Sequence, residues 1–336
     1  MILTLTANPS LDCTVDLAEP LERGSVHRAT ATTSDPGGKG VNVARVVAGA
    51  HCPTATILPA PADDPLVTAL VDRGVHHYLV PTTAAVRSNL TITEPDGTTT
   101  KINEPGHPLD GAQLDAMARL LAEHAVSARW VALCGSLPPG VPDDWYGRLV
   151  RELWPLPCAV AVDTSDVPLR ALAAGFPATA PDLLKPNAEE LGQLTGFDPA
   201  ALEAAAAGGD PSLAVLAARS LVDRGVGAVL ATLGSAGAVL VTADGAWFAD
   251  APAITPRSTV GAGDAALAGY LLAEVAGDDP SRRLQLAVAY GTAAAGLPGT
   301  ELPRPHQIDR DSVTVTALPT DTAAPTPAVS DPAPQH

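Results

Sequence analysis

Lysine is nearly absent. The 336-residue chain has three, Lys39, Lys101 and Lys185, and its other strongly basic side chains are arginines. Acids outnumber Lys and Arg by 37 to 20, for a net charge of −17. That balance excludes nucleic acid as a general partner, and an anionic substrate must be met by a local basic site. Aromatic residues make up 3% of a chain that is 46% hydrophobic, so the core is aliphatic. Cys13, Cys52, Cys134 and Cys158 are scattered without a C-x-x-C pair, which points to free thiols in a reducing compartment rather than disulfides or zinc. The histidines show no metal-ligand spacing, and His76-His77 reads as the start of a strand. No uninterrupted apolar run is long enough for a bilayer, and no membrane partner is expected. The opening Met1–Thr6 lacks a basic stretch and a long apolar run, so no signal peptide is expected and a cytoplasmic location is.

The few lysines are placed alike. Lys39 lies in Pro36-Gly37-Gly38-Lys39-Gly40-Val41-Asn42, Lys101 in Thr100-Lys101-Ile102-Asn103, and Lys185 in Leu184-Lys185-Pro186-Asn187. All are turn-rich junctions, where an ammonium serves as a phosphate ligand as readily as a solvated surface charge. Val260-Gly261-Ala262-Gly263-Asp264 then runs into the apolar stretch Ala265–Ala273. Backbone N–H groups at a helix start hold anions, and a carboxylate beside them suits proton abstraction during phosphoryl transfer. Asp264 as a plain acid in the first turn of a helix fits the same segment. A dinucleotide-binding fingerprint does not, because Thr255–Ser258 interrupts the strand that must precede it.

Short β-branched runs alternate with helical patterns. Strands are expected at Ile2–Thr6, Thr54–Leu58, His77–Val80, Trp130–Cys134, Ala159–Asp163, Leu183–Lys185 and Ala228–Thr232. Helices are expected near Val41–Ala50, Pro65–Arg73, Asp110–His124, Pro142–Leu153, Val167–Ala173, Ala188–Leu194, Pro211–Asp223, Asp264–Ala276 and Pro280–Ala295. The alternation predicts an α/β fold with a mainly parallel sheet and ligands beyond its carboxyl edge. Ser25–Thr33, Ser88–Thr93 and Thr98–Asn103 break the pattern; the last two flank the turn Glu94-Pro95-Asp96-Gly97 and read as a small accessory sheet or an edge hairpin. Ala201–Asp210 reads as an alanine-rich connector, and the Pro-, Ala- and Thr-rich tail from about Ala317 as disordered.

Together the motifs resemble the PfkB (ribokinase-like) carbohydrate kinases, in particular the 1-phosphofructokinase and tagatose-6-phosphate kinase branch. The resemblance rests on Thr6–Asp12, Pro36–Arg45, Gly135–Gly140, Lys185-Pro186-Asn187, Thr232-Leu233-Gly234-x-x-Gly237, Val260–Asp264 and Pro298-Gly299-Thr300. It implies a three-layer α/β/α sandwich with a small β-sheet lid. It implies a kinase domain over residues 1–304, lid strands within about 12–33 and 86–104, and a C-terminal extension from 305 to 336. One departure stands out: His51 occupies a place where the family usually has glycine, and Leu58–Asp64 replaces a Gly-rich loop.

The resemblance also implies roles. Asp264 is the general base, and Gly261, Ala262 and Gly263 form the anion hole. Asp12 binds sugar hydroxyls with Gly38 and Asn42; Lys39 and Arg87 grip a phosphate on the sugar, with Ser136 a further candidate there alongside Arg28 and Lys101. Asn187 and Glu190 position magnesium through water. Lys185, Asn187, Thr232, Gly234 and Gly237 lie along the ATP site. The implied reaction is phosphorylation of a hexose phosphate, fructose 1-phosphate foremost, using ATP and Mg2+. Kinases for tagatose 6-phosphate, fructose 6-phosphate, an unphosphorylated sugar or a nucleoside are alternatives, as is a non-catalytic ligand sensor. Lid packing in related kinases is compatible with a homodimer.

Overall fold

A computed structural model of the chain describes residues 1–319. From β1 (Ile2–Thr6) the chain crosses to a small sheet with β2 (Ser10–Leu17) and β3 (Ala29–Gly37), then returns through α1 (Lys39–Gly49). Next come β4 (Thr54–Pro59), α2 (Pro65–Asp72) and β5 (His77–Val80); β6 (Arg87–Thr93) and β7 (Thr99–Asn103) complete the small sheet. α3 (Gly111–Ala125), β8 (Trp130–Cys134), α4 (Trp145–Leu153), β9 (Ala159–Asp163), α5 (Asp166–Ala174) and β10 (Leu183–Leu184) follow. Three helices, α6 (Ala188–Thr195), α7 (Pro199–Ala207) and α8 (Ser212–Val222), lead to β11 (Ala228–Thr232), β12 (Ala238–Thr242) and β13 (Gly245–Ala249). Last come α9 (Ala262–Val275), α10 (Pro280–Ala295) and β14 (Val315–Leu318).

The large sheet runs β14-β13-β12-β11-β10-β9-β8-β1-β4-β5. It is parallel from β11 through β5 and antiparallel from β11 to β14. Central strands such as β1 and β8 are buried at every position, as expected of strands covered on both faces, and this is why they read as unbroken apolar runs. Leu3 and Leu5 of β1 pack with α3, α4, α5, α6 and α8 through Met117, Leu149, Leu172, Leu191 and Val215. Ile2 faces the other way, into a core with Val46 of α1, Leu267 of α9 and Leu284 of α10. The three-layer α/β/α sandwich and the separate small sheet, in order β3-β2-β6-β7, are therefore present.

Some expectations need correction. β2 falls largely within the 12–33 stretch expected to hold lid strands but is not picked out by the residue pattern, and β3 is shifted toward Gly37 relative to Ser25–Thr33, because its length is set by pairing from Ser10↔Gly37 to Leu17↔Ala29. The expected Ala201–Asp210 connector is mostly α7, started by the Asp198 cap and Pro199 and anchored by buried Leu202 and Ala206. β12, β13 and β14 extend the sheet beyond the expected alternation. Ala317 and Leu318, expected to begin the disordered tail, pair with Trp247 and Ala246 instead; the remainder of that tail, from residue 320, lies outside the described residues.

Candidate active site

The carboxyl edge of the large sheet gathers Asp163 from β9, Lys185 after β10 and Thr232 from β11, and α1, α6 and α9 begin there with Lys39, Glu190 and Asp264 in their first turns. Four charges interlock. Lys39 Nζ donates to Asp163 Oδ1 at 2.7 Å and lies 3.9 Å from Glu190 Oε1. Lys185 Nζ is 3.1 Å from Asp163 Oδ2. Asp163 is fully buried; burial pushes its pKa up, but the two ammonium groups outweigh that and hold it below the ordinary carboxylate range. Burial likewise works against the charge on Lys39, and Asp163, Glu190 and Asp264 overcome it, raising its pKa.

Asp264 is the opposite case. It is 7% exposed and accepts one hydrogen bond from Asn42 Nδ2 at 2.9 Å. Burial first, then the charge of Asp163, raises its pKa to about 6, against the pull of Lys39, Asn42 and Lys185. Asn42 is presented this way because its Oδ1 already accepts from Arg45 Nη1 at 3.2 Å. Gly261, with φ of 76°, makes the left-handed turn that starts α9. The Ala262 N–H makes a long 3.4 Å turn bond to Thr259 O. Among the described residues the N–H groups of Gly261, Gly263 and Asp264 have no acceptor. A Cβ added at Gly263 would lie 3.3 Å from Lys185 Nζ, so that ammonium flanks the same helix end. The open N–H groups at this helix start are thus those of Gly261, Gly263 and Asp264, with Ala262 partly engaged.

Asn187 and Glu190 form a reciprocal cap on α6. Asn187 Oδ1 accepts from the Glu190 N–H at 2.8 Å, and Glu190 Oε2 from the Asn187 N–H at 2.9 Å. This leaves Glu190 Oε1 facing Lys39. Burial, mainly, with Asp163 beside it, raises the Glu190 pKa. Among the described residues no group of three or more His, Cys, Asp or Glu side chains is arranged to hold a metal. A single carboxylate oxygen outside the cap, Glu190 Oε1, suits a hydrated ion carried by phosphates, not a protein cage.

A cavity of about 760 Å³ opens beside this edge, lined by Asn187, Thr232, Gly234, Gly237, Gly263 and Ala266 among others. Its size and small apolar walls suit a planar heterocycle with polar groups at one end. Thr232 is bridged to Asn187, and its N–H donates to Pro186 O at 3.0 Å. Lys185 is not among the residues lining this cavity; its ammonium pairs with Asp163 beside Gly263, which is.

The small sheet supplies a second group. Asp12 on β2 lies directly over Gly37, where an added Cβ would collide with its carboxylate. Ser10 Oγ and Asn89 Nδ2 donate to its Oδ1 at 2.7 and 2.9 Å. Arg87 donates through Nη1 to Glu104 O at 2.9 Å, and its buried Nε has no partner among the described residues; the same is true of Asn89 Oδ1. Burial lowers the Arg87 pKa, against Asp12 and Glu104. Ser136 accepts from Asn8 Nδ2 at 3.3 Å, and Gly38 caps the start of α1. Arg28 and Lys101 are exposed on the outer part of this sheet and its approach, with no bond to the group. The sequence reading missed Asp163 and Asn89. Asp163 carried a signal, an acid closing an apolar strand; Asn89, one of several polar residues on β6, carried none.

A model of the "pfkB family carbohydrate kinase" matches residues 6–307. The chain is 36% identical to a 1-phosphofructokinase of Rhodobacter capsulatus over 319 residues, covering 94% of this chain and 96% of that one. It is 33% identical to an ATP-dependent 6-phosphofructokinase isozyme 2 of Mycobacterium tuberculosis, covering 92% and 88%. The crystal structure of phosphofructokinase-2 from Escherichia coli in complex with substrates and products superposes with a TM-score of 0.81 at 28% identity, covering 91% of this chain and 96% of that one.

Proposed function

This chain belongs to the pfkB family of carbohydrate kinases, and from that premise we propose that it transfers the terminal phosphoryl group of ATP to a hydroxyl of fructose 1-phosphate. One observation carries the reading: a buried carboxylate with a pKa near 6 stands beside backbone N–H groups that have no internal acceptor. At neutral pH Asp264 is predominantly ionised, yet basic enough to take the acceptor hydroxyl proton as the new P–O bond forms. Gly261, Gly263 and the flanking Lys185 meet charge developing on the transferred group. Asn42 orients the base.

Acceptor binding falls to the small sheet. Arg87 Nε, buried and unpartnered, suits a phosphate oxygen, and Asp12 with Asn89 Oδ1 suits sugar hydroxyls. Lys39 sits between carboxylates and bridges the acceptor and nucleotide sides. The cavity beside Gly263 takes the nucleotide. Magnesium, when bound, neutralises phosphate charge, and Glu190 Oε1 would hold it through water while Asn187 keeps Glu190 in place. With the small sheet over the cleft, water is excluded from the reacting groups. A homodimer through this sheet belongs to the same reading.

The similarity to the M. tuberculosis 6-phosphofructokinase favours fructose 6-phosphate as the second reading. A coupled ADP-release assay over fructose 1-phosphate, fructose 6-phosphate, tagatose 6-phosphate, ribose and adenosine separates them. The highest kcat/KM is expected for fructose 1-phosphate; preference for ribose or adenosine would sink the phosphate-binding assignment of Arg87.

A further inference from the structure

A second concavity, with arginines and histidines on its walls, shares no lining residue with the nucleotide cavity. It has a volume of about 730 Å³, and its walls bring together Arg45, Arg73, Arg304, His51 and His306 in a chain whose net charge is −17. Arg45 and Arg73 both pair with one carboxylate, Asp35, whose other oxygen accepts from Thr300 Oγ1 at 3.0 Å. Arg304, on the same wall, pairs with no carboxylate among the described residues. Arg45 is largely buried, and its pKa is held down, first by burial and also by Arg73, with Asp35 opposing. His51 holds a φ of 56°, left-handed backbone that disfavours a side chain, yet it keeps an imidazole on this wall. Asp72 on the wall and Glu301 at the adjoining mouth are the other acids here.

We propose that this concavity is a second anion site, taking a small phosphoryl-bearing molecule distinct from the reacting substrates. Guanidinium forks grip phosphate oxygens in pairs, and the volume suits a ligand of metabolite size. The site is not isolated from the chemistry. Arg45 holds Asn42, which holds Asp264, and Leu302 on the cavity wall approaches Gly261, whose added Cβ would lie 2.9 Å from it. An occupant therefore competes with Asp35 for the guanidinium group that orients the base.

Calorimetric titration of the full chain with inorganic pyrophosphate tests this. Arg304→Glu, on an exposed loop, is expected to weaken binding at one site at least about tenfold, a typical effect for one charge-assisted contact. His51→Gly should weaken it too, without lowering the melting temperature, whereas Arg87→Ala in the catalytic cleft should leave that site unchanged. Unaltered affinity in both Arg304→Glu and His51→Gly would overturn the proposal. Citrate binding as tightly as pyrophosphate would overturn the phosphoryl assignment. Because the readout is binding, it stands or falls apart from the acceptor assay.

Discussion

Asp163 and Asp264 are both buried at the same sheet edge, and they titrate in opposite directions. Two lysines hold Asp163 ionised, while Asp264, with one amide donor and a neighbouring negative charge, is pushed to about 6. Environments that separate two carboxylates in this way divide a fixed charge from a working base. Asp264→Asn is expected to lower kcat by a factor of about 10² to 10⁴ with ATP binding retained. In the parent enzyme the rate should fall as pH drops through about 6. The sign for stability follows from the same shift. Between the ordinary value of 3.8 and about 6 the folded chain keeps a proton that the unfolded chain releases, so stability falls as pH rises through that window. Asp264→Asn should thus match or exceed the parent in unfolding free energy at pH 7.5, by roughly 3 kcal/mol at most; a clear loss would show that the site does not strain the charged form. Asp163→Asn leaves the buried Lys185 short of its partner and Lys39 with Glu190 alone, and should cost about 3 kcal/mol in denaturant unfolding.

At the scale of elements, α6 shows one motif serving two ends. The N-x-x-E spacing is a helix cap by geometry, with Glu190 giving one oxygen to the cap and turning the other toward Lys39. The two uses separate by mutation. Asn187→Ala removes the cap and should cost about 1 kcal/mol in thermal unfolding. Glu190→Gln keeps an acceptor for the cap and near-parental stability, but should raise the magnesium concentration needed for half-maximal rate. An unchanged magnesium dependence would remove Glu190 from the metal's surroundings. The first turn of α9 is the other element of the proposed site: Gly261, in a conformation other residues avoid, leaves N–H groups there without acceptors among the described residues.

Across the whole molecule, β14 closes the antiparallel flank of the sheet by pairing with β13, and Val313 just before it is buried. A chain ending at Arg310 loses that cover. Losing the buried Val313 side chain alone costs about 1.5–3 kcal/mol, and the bared β13 edge invites association. A lowered melting temperature and light scattering on heating are the expected outcome; parental behaviour would make β14 dispensable. The parallel half of this sheet was legible because doubly covered strands read as apolar runs between helical stretches. The antiparallel half was not: β12 and β13 are as apolar but carry no helix between them, and β14 lies in a Thr-rich stretch whose strand character comes only from its neighbour. α7 went unread because its alanines show no periodicity.

The sequence alone determined the α/β alternation, the glycine turn before Asp264 and the placing of that carboxylate at a helix start. These depend on local backbone preference and on burial pattern, which neighbouring residues reveal. Only the tertiary structure decided that Asp163 is the counter-charge for Lys39, 124 positions away, and that Asn42 turns its amide toward Asp264 because Arg45 occupies its oxygen. Charge pairing in a buried cleft depends on distance in space and on the water excluded around it, and neither is written in the spacing of residues along a chain.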